Sequence, residues 1–423
     1  MTSHHANSTS DLLGRVLQQR EAVLLTFCDP LPAEYARLLH LSRKEWESLL
    51  RWLDTSGLAL YFLDRVEELG LAVSLPQPVI VRLRKNRTDN AKRIEGMIAE
   101  SAAIQRRFQE AQISYAVLKG FSLWPISVPK LQLRSQLDLD FLIAKEGAMK
   151  ARKILEDFGY RLDIVSDGNM DFKVDERRAS TLDDLYKAGV GRTAELHIEA
   201  VSAGRTSMLS RTQKQCFHGT EVSVLSPRDL FLGQGLHLYK HVCSQFSRAA
   251  HLIEFRRHVI ARRDDNAFWA ELQELTSGEP AIGIRLGVVI HLITRVMGEF
   301  APPALTRWTV DPLPASARLW VEIYGRRTVL ATFPGSKLYL LLEAELEAEG
   351  LPAKRSRWQA LVPRKLPRSI TRAVAGETLS ARMERHYRQL LYNSFRLRFS
   401  TFEGIRYLRE SILWRQYRNG VSQ

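Results

Sequence analysis

The sequence predicts an α+β chain, a small mixed sheet set between two helical regions, and three observations predict it. Residues 133–143, Leu-Arg-Ser-Gln-Leu-Asp-Leu-Asp-Phe-Leu-Ile, alternate apolar and polar as a half-buried strand does. Up to about residue 112 the apolar positions instead recur at helical spacing. Ser226-Pro227-Arg228-Asp229 then supplies a cap, a first-turn proline and an acid, and so opens a second helical stretch. The expected segments are a helical region over 1–112, the mixed core over 113–225, a helical domain over 226–345 and a basic helical region over 346–423.

In chain order, Met1 to Ser10 are polar and lack the apolar core of a signal peptide. No later stretch reads as long and uncharged enough to cross a bilayer, so a cytoplasmic protein without a transmembrane segment is expected. His4 and His5 read as a solvated tail. Ser42-Arg43-Lys44-Glu45 is a capping box, and Trp46, Leu49, Leu50 and Leu53 follow on one helical face before Gly57 ends the turn. A long polar helix over 78–111 delivers the chain to a strand at Ile113, which runs into the turn Lys119-Gly120. Glu146 to Phe158 reads as a helix stopped by Gly159, and strands are expected over 160–165, 170–174 and 194–201. Cys28, Cys216 and Cys243 lie far apart without metal-ligand spacing and read as buried reduced thiols.

The alternating run carries the chemistry. A strand projects Asp138 and Asp140 from one face while Leu139, Phe141 and Ile143 occupy the other. Two neighbouring carboxylates repel, and a fold that keeps them together commonly supplies a cation; hard oxygen donors suit Mg²⁺. In Ala194-Glu195-Leu196-His197-Ile198-Glu199, the residues Glu195, His197 and Glu199 share a face, so a third acid is available twice. The Lys119-Gly120 turn offers backbone N–H groups and an ammonium to a phosphate. His237 and His241 stand one helical turn apart, but the acid of His-Glu-x-x-His is missing and the sequence marks no third ligand, which favours structural or substrate-contacting roles.

Taken in order, these motifs resemble a family. Leu118-Lys119-Gly120, then Arg134-x-x-x-Asp138-Leu139-Asp140-Phe141-Leu142-Ile143, a helix ending in Gly159-Tyr160, Glu195-Leu196-His197, residues 224–230 and His237-x-x-x-His241 are similar to the poorly characterised nucleotidyltransferase family of the polymerase-β-like superfamily. The resemblance spans roughly residues 40 to 305, and the ordered set is far more specific than any single motif. It implies a two-metal enzyme that transfers a nucleoside monophosphate from an NTP, ATP among the candidates, to a hydroxyl of a small molecule, a protein or an RNA end.

The same resemblance implies roles. Asp138, Asp140 and Glu195 would hold two Mg²⁺ ions and act catalytically, Glu195 also as the base; Glu199 is the spare acid. Lys119, Gly120, Ser122 and Arg134 would bind the nucleotide's phosphates. One departure stands out: the superfamily's glycine turn is followed directly by Ser or Gly, whereas here Phe121-Ser122 follows Gly120, eighteen residues before Asp138. Ser122 is therefore either the phosphate-turn serine or the cap of the next helix.

Charge gives the other class of function. From Leu351 to Gln423 there are 16 Lys and Arg against 4 Glu and no Asp, which is +12 of the chain's net +14. Arginines there interleave with Tyr387, Tyr392, Phe395, Phe399, Tyr407 and Trp414. Such a surface suits RNA, anionic lipid or an acidic partner, or is a solvated helical cover. The alternative to an enzyme is thus a non-catalytic nucleotidyltransferase-like protein that binds nucleic acid or an anionic surface through this tail.

Overall fold

The structure is a computed structural model that describes residues 3–166, 168–174, 182–189, 191–200, 206–245, 248–332, 335–351, 357–362 and 377–421, with side chains from residue 14 onward. The side chains of His4 and His5, and Val201, lie outside the described residues. As expected, the architecture is α+β: helices α1 (Ser3–Leu25), α2 (Arg43–Ser56), α3 (Ala59–Glu68) and α4 (Gln77–Glu110) precede a mixed seven-stranded sheet. Both halves of the capping box form, with Ser42 Oγ accepting from Glu45 N–H and Ser42 N–H donating to Glu45 Oε2 at 2.8 Å. Gly57 closes α2 at φ +75°, a left-handed conformation that a side chain resists.

The strands are β1 (Tyr115–Leu118), β2 (Asp138–Ile143), β3 (Tyr160–Ser166), β4 (Asn169–Val174), β5 (Thr193–Ile198), β6 (Gln213–Phe217) and β7 (Thr220–Val224), with helix α5 (Ala148–Asp157) after β2. Their order across the sheet is β3-β4-β5-β2-β1-β7-β6, with β2 parallel to β5 and antiparallel to β1. One face carries Val117, Leu139, Phe141, Ile143, Ala194 and Leu196 against Ile94, Ile104 and Phe108 of α4 and Ala151 and Leu155 of α5. Phe108 meets Phe141 edge-to-face at 5.3 Å. Each fully buried side chain of this size contributes about 1.5–3 kcal/mol. A one-residue slip of β2 would expose Phe141 and press both aspartates into this layer, so the register is firmly set.

The opposite face of β1, β2 and β5 is left to the functional residues. It looks toward helices α6 (Pro227–Val242), α7 (Ala250–Ala261), α8 (Asn266–Thr276) and α9 (Pro280–Met297), which share one apolar core with α1, α2, α3 and the first turns of α4. The helical regions before and after the sheet therefore pack on each other and back the same side. Helix α9 is long and apolar enough by length and composition to cross a membrane, which the sequence reading did not find. Ten of its residues are buried, and it sits in this core against α6.

Two further expectations are corrected. Only Cys28 is a buried thiol: Cys216, on the edge strand β6, is exposed, and Cys243 is half-buried. The strand expected to run to residue 201 stops at Ile198, because Glu199 turns aside to accept from Ser207 Oγ at 2.6 Å and from Met208 N–H at 2.5 Å. At the C-terminus, helix Leu379–Val421 anchors through Tyr407 and Trp414, whose indole N–H donates to Glu345 Oε1 at 2.8 Å, while Leu379, Met383, Leu390, Leu397, Phe402 and Ile412 stay exposed.

Candidate active site

Parallel pairing of β2 with β5 places Asp140 opposite Glu195 and Leu142 opposite His197. Because side chains alternate, Asp138, Asp140, Glu195 and His197 all project from the face away from α4 and α5. Ligand atoms of Asp140, Glu195 and His197 lie within 4.8 Å of one another. Glu195, not Glu199, is the acid in this group. His197, to which the sequence reading gave no role, is at its centre: its Nε2 is 3.0 Å from Asp140 Oδ1 and 3.3 Å from Glu195 Oε2. The signal was present in the alternation, which set His197 on the same face.

A cation balances the acids. Lys119 leaves β1 at the position beside Asp140 and donates from Nζ to Asp140 Oδ1 at 3.0 Å. Burial would lower the pKa of this ammonium, but Asp140, Asp138 and Glu195 more than offset it, and the net shift is upward. His197 behaves alike: burial disfavours its charge, yet its bonds to Asp140 and Glu195 raise its pKa. Asp140 is 4 % exposed, and although burial pushes its carboxyl up, His197 and Lys119 hold it well below the usual carboxylate range. Asp138 goes the other way. Burial, then the charges of Asp140 and Glu195, raise its pKa from 3.8 to about 6. The strand thus holds one aspartate that is fully paired and one that lacks sufficient positive charge.

The turn that delivers Lys119 is unusual. Lys119 has φ +50° and Gly120 φ +44°, both in the left-handed region, which residues with a side chain seldom occupy. A Cβ on Gly120 would lie 2.3 Å from Gln136 Nε2, the group that donates to the Asp138 carbonyl at 2.8 Å. Glycine is therefore required for the turn to rest on the segment that leads into β2. Ser122 is buried, and both its N–H and its hydroxyl donate to the Lys119 carbonyl at 2.8 Å, so it fastens the turn from inside the short helical segment Gly120–Leu123 and does not cap it. Arg134 is half-buried beside the site, where its Nε donates to Glu254 Oε1 of α7 at 3.0 Å; Tyr61 of α3 donates to the same oxygen at 3.0 Å.

Lys119 and Arg134 both line a cavity of about 680 Å³ between the sheet and α6–α9. Its walls mix Leu118, Leu142, Leu225 and Ile282 with Arg211, Asp229, His237, His251 and Glu254. A volume of this size accommodates a molecule of nucleotide dimensions.

The donor set also fits divalent cations. Asp138, Asp140 and Glu195 present hard oxygens, and the excess negative charge that lifts Asp138 is what a cation would remove. With Mg²⁺ these three would be the ligands, while His197, a softer nitrogen donor, would orient Asp140 through its hydrogen bond.

Comparison with known proteins agrees with the motifs. The model of a family described as uncharacterised nucleotidyltransferase matches residues 42–286. Among solved structures, the chain is similar to an antigenic nucleotidyltransferase-like protein from Paracoccidioides brasiliensis, at 14% identity and a TM-score of 0.27, over 44% of this chain and 90% of that one. No curated protein matches.

Proposed function

Because the chain belongs to the uncharacterised nucleotidyltransferase family, we propose that it transfers a nucleoside monophosphate from an NTP to a hydroxyl acceptor, with Mg²⁺ held by Asp138, Asp140 and Glu195. The observation that carries this reading is the grouping of Asp140 of β2 with Glu195 and His197 of β5 around the Lys119 ammonium, with Asp138 on the same face of β2 but outside that group, beside a cavity of nucleotide size.

Bound there, the metal would neutralise triphosphate charge and make the acceptor hydroxyl easier to deprotonate. The chain's own residues would do the rest. Lys119 pairs with Asp140, and a cation on the acids would free it to meet the phosphates at the cavity wall. Glu195, with a third of its side chain exposed, is the acid best placed to take the acceptor's proton. Arg134, paired with Glu254, would set the charge of the wall without leaving its partner. Incubation of the protein with Mg²⁺, each α-labelled NTP and a cell extract tests the reading. A labelled product that requires Asp140 is expected; no label transfer with any NTP would set the reading aside.

Lys119→Ala separates phosphate binding from architecture. The substitution is expected to weaken Mg²⁺-NTP binding by about 10- to 100-fold, the scale of one charge-assisted contact. Calorimetry on the folded variant measures it, and unchanged NTP affinity would assign Lys119 to neutralising Asp140 only.

A further inference from the structure

Helix α6 presents His237 and His241 on one face, and a third imidazole comes from outside that helix. His251, near the start of α7, brings its ring centroid to 5.2 Å from His237 and 4.7 Å from His241, with one ring nitrogen of each residue within 4.8 Å of the others. The sequence marked no third ligand for the α6 pair, and the fold supplies one. Nε2 of His237 and Nε2 of His241 are 3.0 Å apart. For a tetrahedral ion with bonds of about 2.0–2.1 Å, ligand nitrogens lie roughly 3.3 Å from each other, so the pair needs almost no movement.

A packing explanation leaves a remainder. A hydrogen bond between His237 and His241 would account for those two rings, but His251 is 7 % exposed and its Nδ1 has no hydrogen-bond partner. An unanswered buried polar group of this kind costs about 1–3 kcal/mol. Among the described residues no carboxylate belongs to the cluster, and three imidazoles suit zinc-class ions rather than Mg²⁺.

We propose that His237, His241 and His251 bind one transition-metal ion of the zinc class, distinct from the cations at Asp138, Asp140 and Glu195. His237 and His251 both line the cavity. The ion would therefore keep an open position on that side, as three-ligand sites with chemical roles do, and would hold an oxygen of a molecule bound in the cavity. The site stands on its own residues and does not depend on the nucleotidyl-transfer reading.

The full-length chain, prepared without a histidine tag and stripped of metal, is titrated with Zn²⁺ by calorimetry and with Co²⁺ by its visible spectrum. Wild type should take up an ion with the intense bands of a four-coordinate cobalt site, besides any ion held by the acidic group. His251→Gln should weaken that site by at least about 100-fold, as expected for losing a direct ligand when even supporting residues cost 10- to 100-fold. Glu195→Gln should keep it, which separates it from the acidic group. His251→Phe serves as a check on folding, since it fills the space without a ligand atom and should melt cooperatively yet lack the four-coordinate cobalt bands, and in the Glu195→Gln background it should gain nothing from Zn²⁺. Equal Co²⁺ spectra and Zn²⁺ affinities in wild type and His251→Gln, or no uptake by wild type, would overturn the proposal.

Discussion

Asp140→Asn is expected to destabilise the metal-free protein by about 3–5 kcal/mol at neutral pH, the cost of breaking a buried pair and leaving its cation unanswered. Asp138→Asn, two residues away on the same strand, is expected to stabilise it. Asp140 accepts from both Lys119 and His197, whose side chains are 30 % and 20 % exposed, so removing its charge strands the Lys119 ammonium and takes from His197 the carboxylate that raises its pKa. Asp138 carries the opposite imbalance, with its pKa raised to about 6 by burial and by the neighbouring acids.

The pH dependence fixes the signs. An unfolded aspartate titrates near 4, so Asp138's raised value contributes stability below about pH 4 that is lost as pH rises through about 6. Wild type and Asp138→Asn should therefore unfold alike near pH 4, and the variant should gain about 1–3 kcal/mol above pH 7. Asp140's depressed value contributes above pH 4 and fades in acid, so the deficit of Asp140→Asn should shrink as pH falls. Denaturant unfolding at pH 4 and pH 7.5 measures the first, and a series from pH 4 downward into acid measures the second. Stability shifts of the same sign at pH 7.5 would mean that the two carboxylates are held alike. Label transfer should fall in both variants by about two to three orders of magnitude, the scale of removing one preorganised charged group.

Arg134→Met is expected to cost a further about 3–5 kcal/mol, again because a buried charge loses its partner. Glu254 is almost wholly enclosed, with a side chain 3 % exposed, and among the described residues keeps the Tyr61 hydroxyl as its side-chain hydrogen-bond donor and the charge of nearby Arg248 once Arg134 is gone. The double variant Arg134→Met/Glu254→Gln should regain much of the loss, since it removes both charges. Guanidinium unfolding of wild type, both single variants and the double variant gives the coupling. If Arg134→Met melts like wild type, the Arg134 guanidinium is solvated and free for a ligand.

The features legible in the sequence were those set within one element. Period-two alternation put Asp138 and Asp140 opposite Phe141, the capping residues placed α2 and α6, and Gly159, at φ +85°, ended the turn after α5. Partnerships between elements were not legible, because they depend on how strands cross and helices dock. Lys119 reads as a phosphate ligand, yet its Nζ donates to Asp140, brought near by β1–β2 pairing. Arg134 meets Glu254, 120 residues on, only because α7 docks against the segment before β2. His251 sits on a different helix from His237 and His241, and no spacing rule links them.

The central claim is that Asp138, Asp140 and Glu195 form a site for Mg²⁺ and a nucleotide. Calorimetric titration of a non-cleavable α,β-methylene NTP into wild type and Asp138→Asn at pH 7.5, with and without Mg²⁺, tests it most directly. Binding is expected in wild type only with Mg²⁺ present, and at least about tenfold weaker in the variant, a difference of 1.4 kcal/mol. Equal affinity in the two proteins, or binding that ignores Mg²⁺, would contradict it.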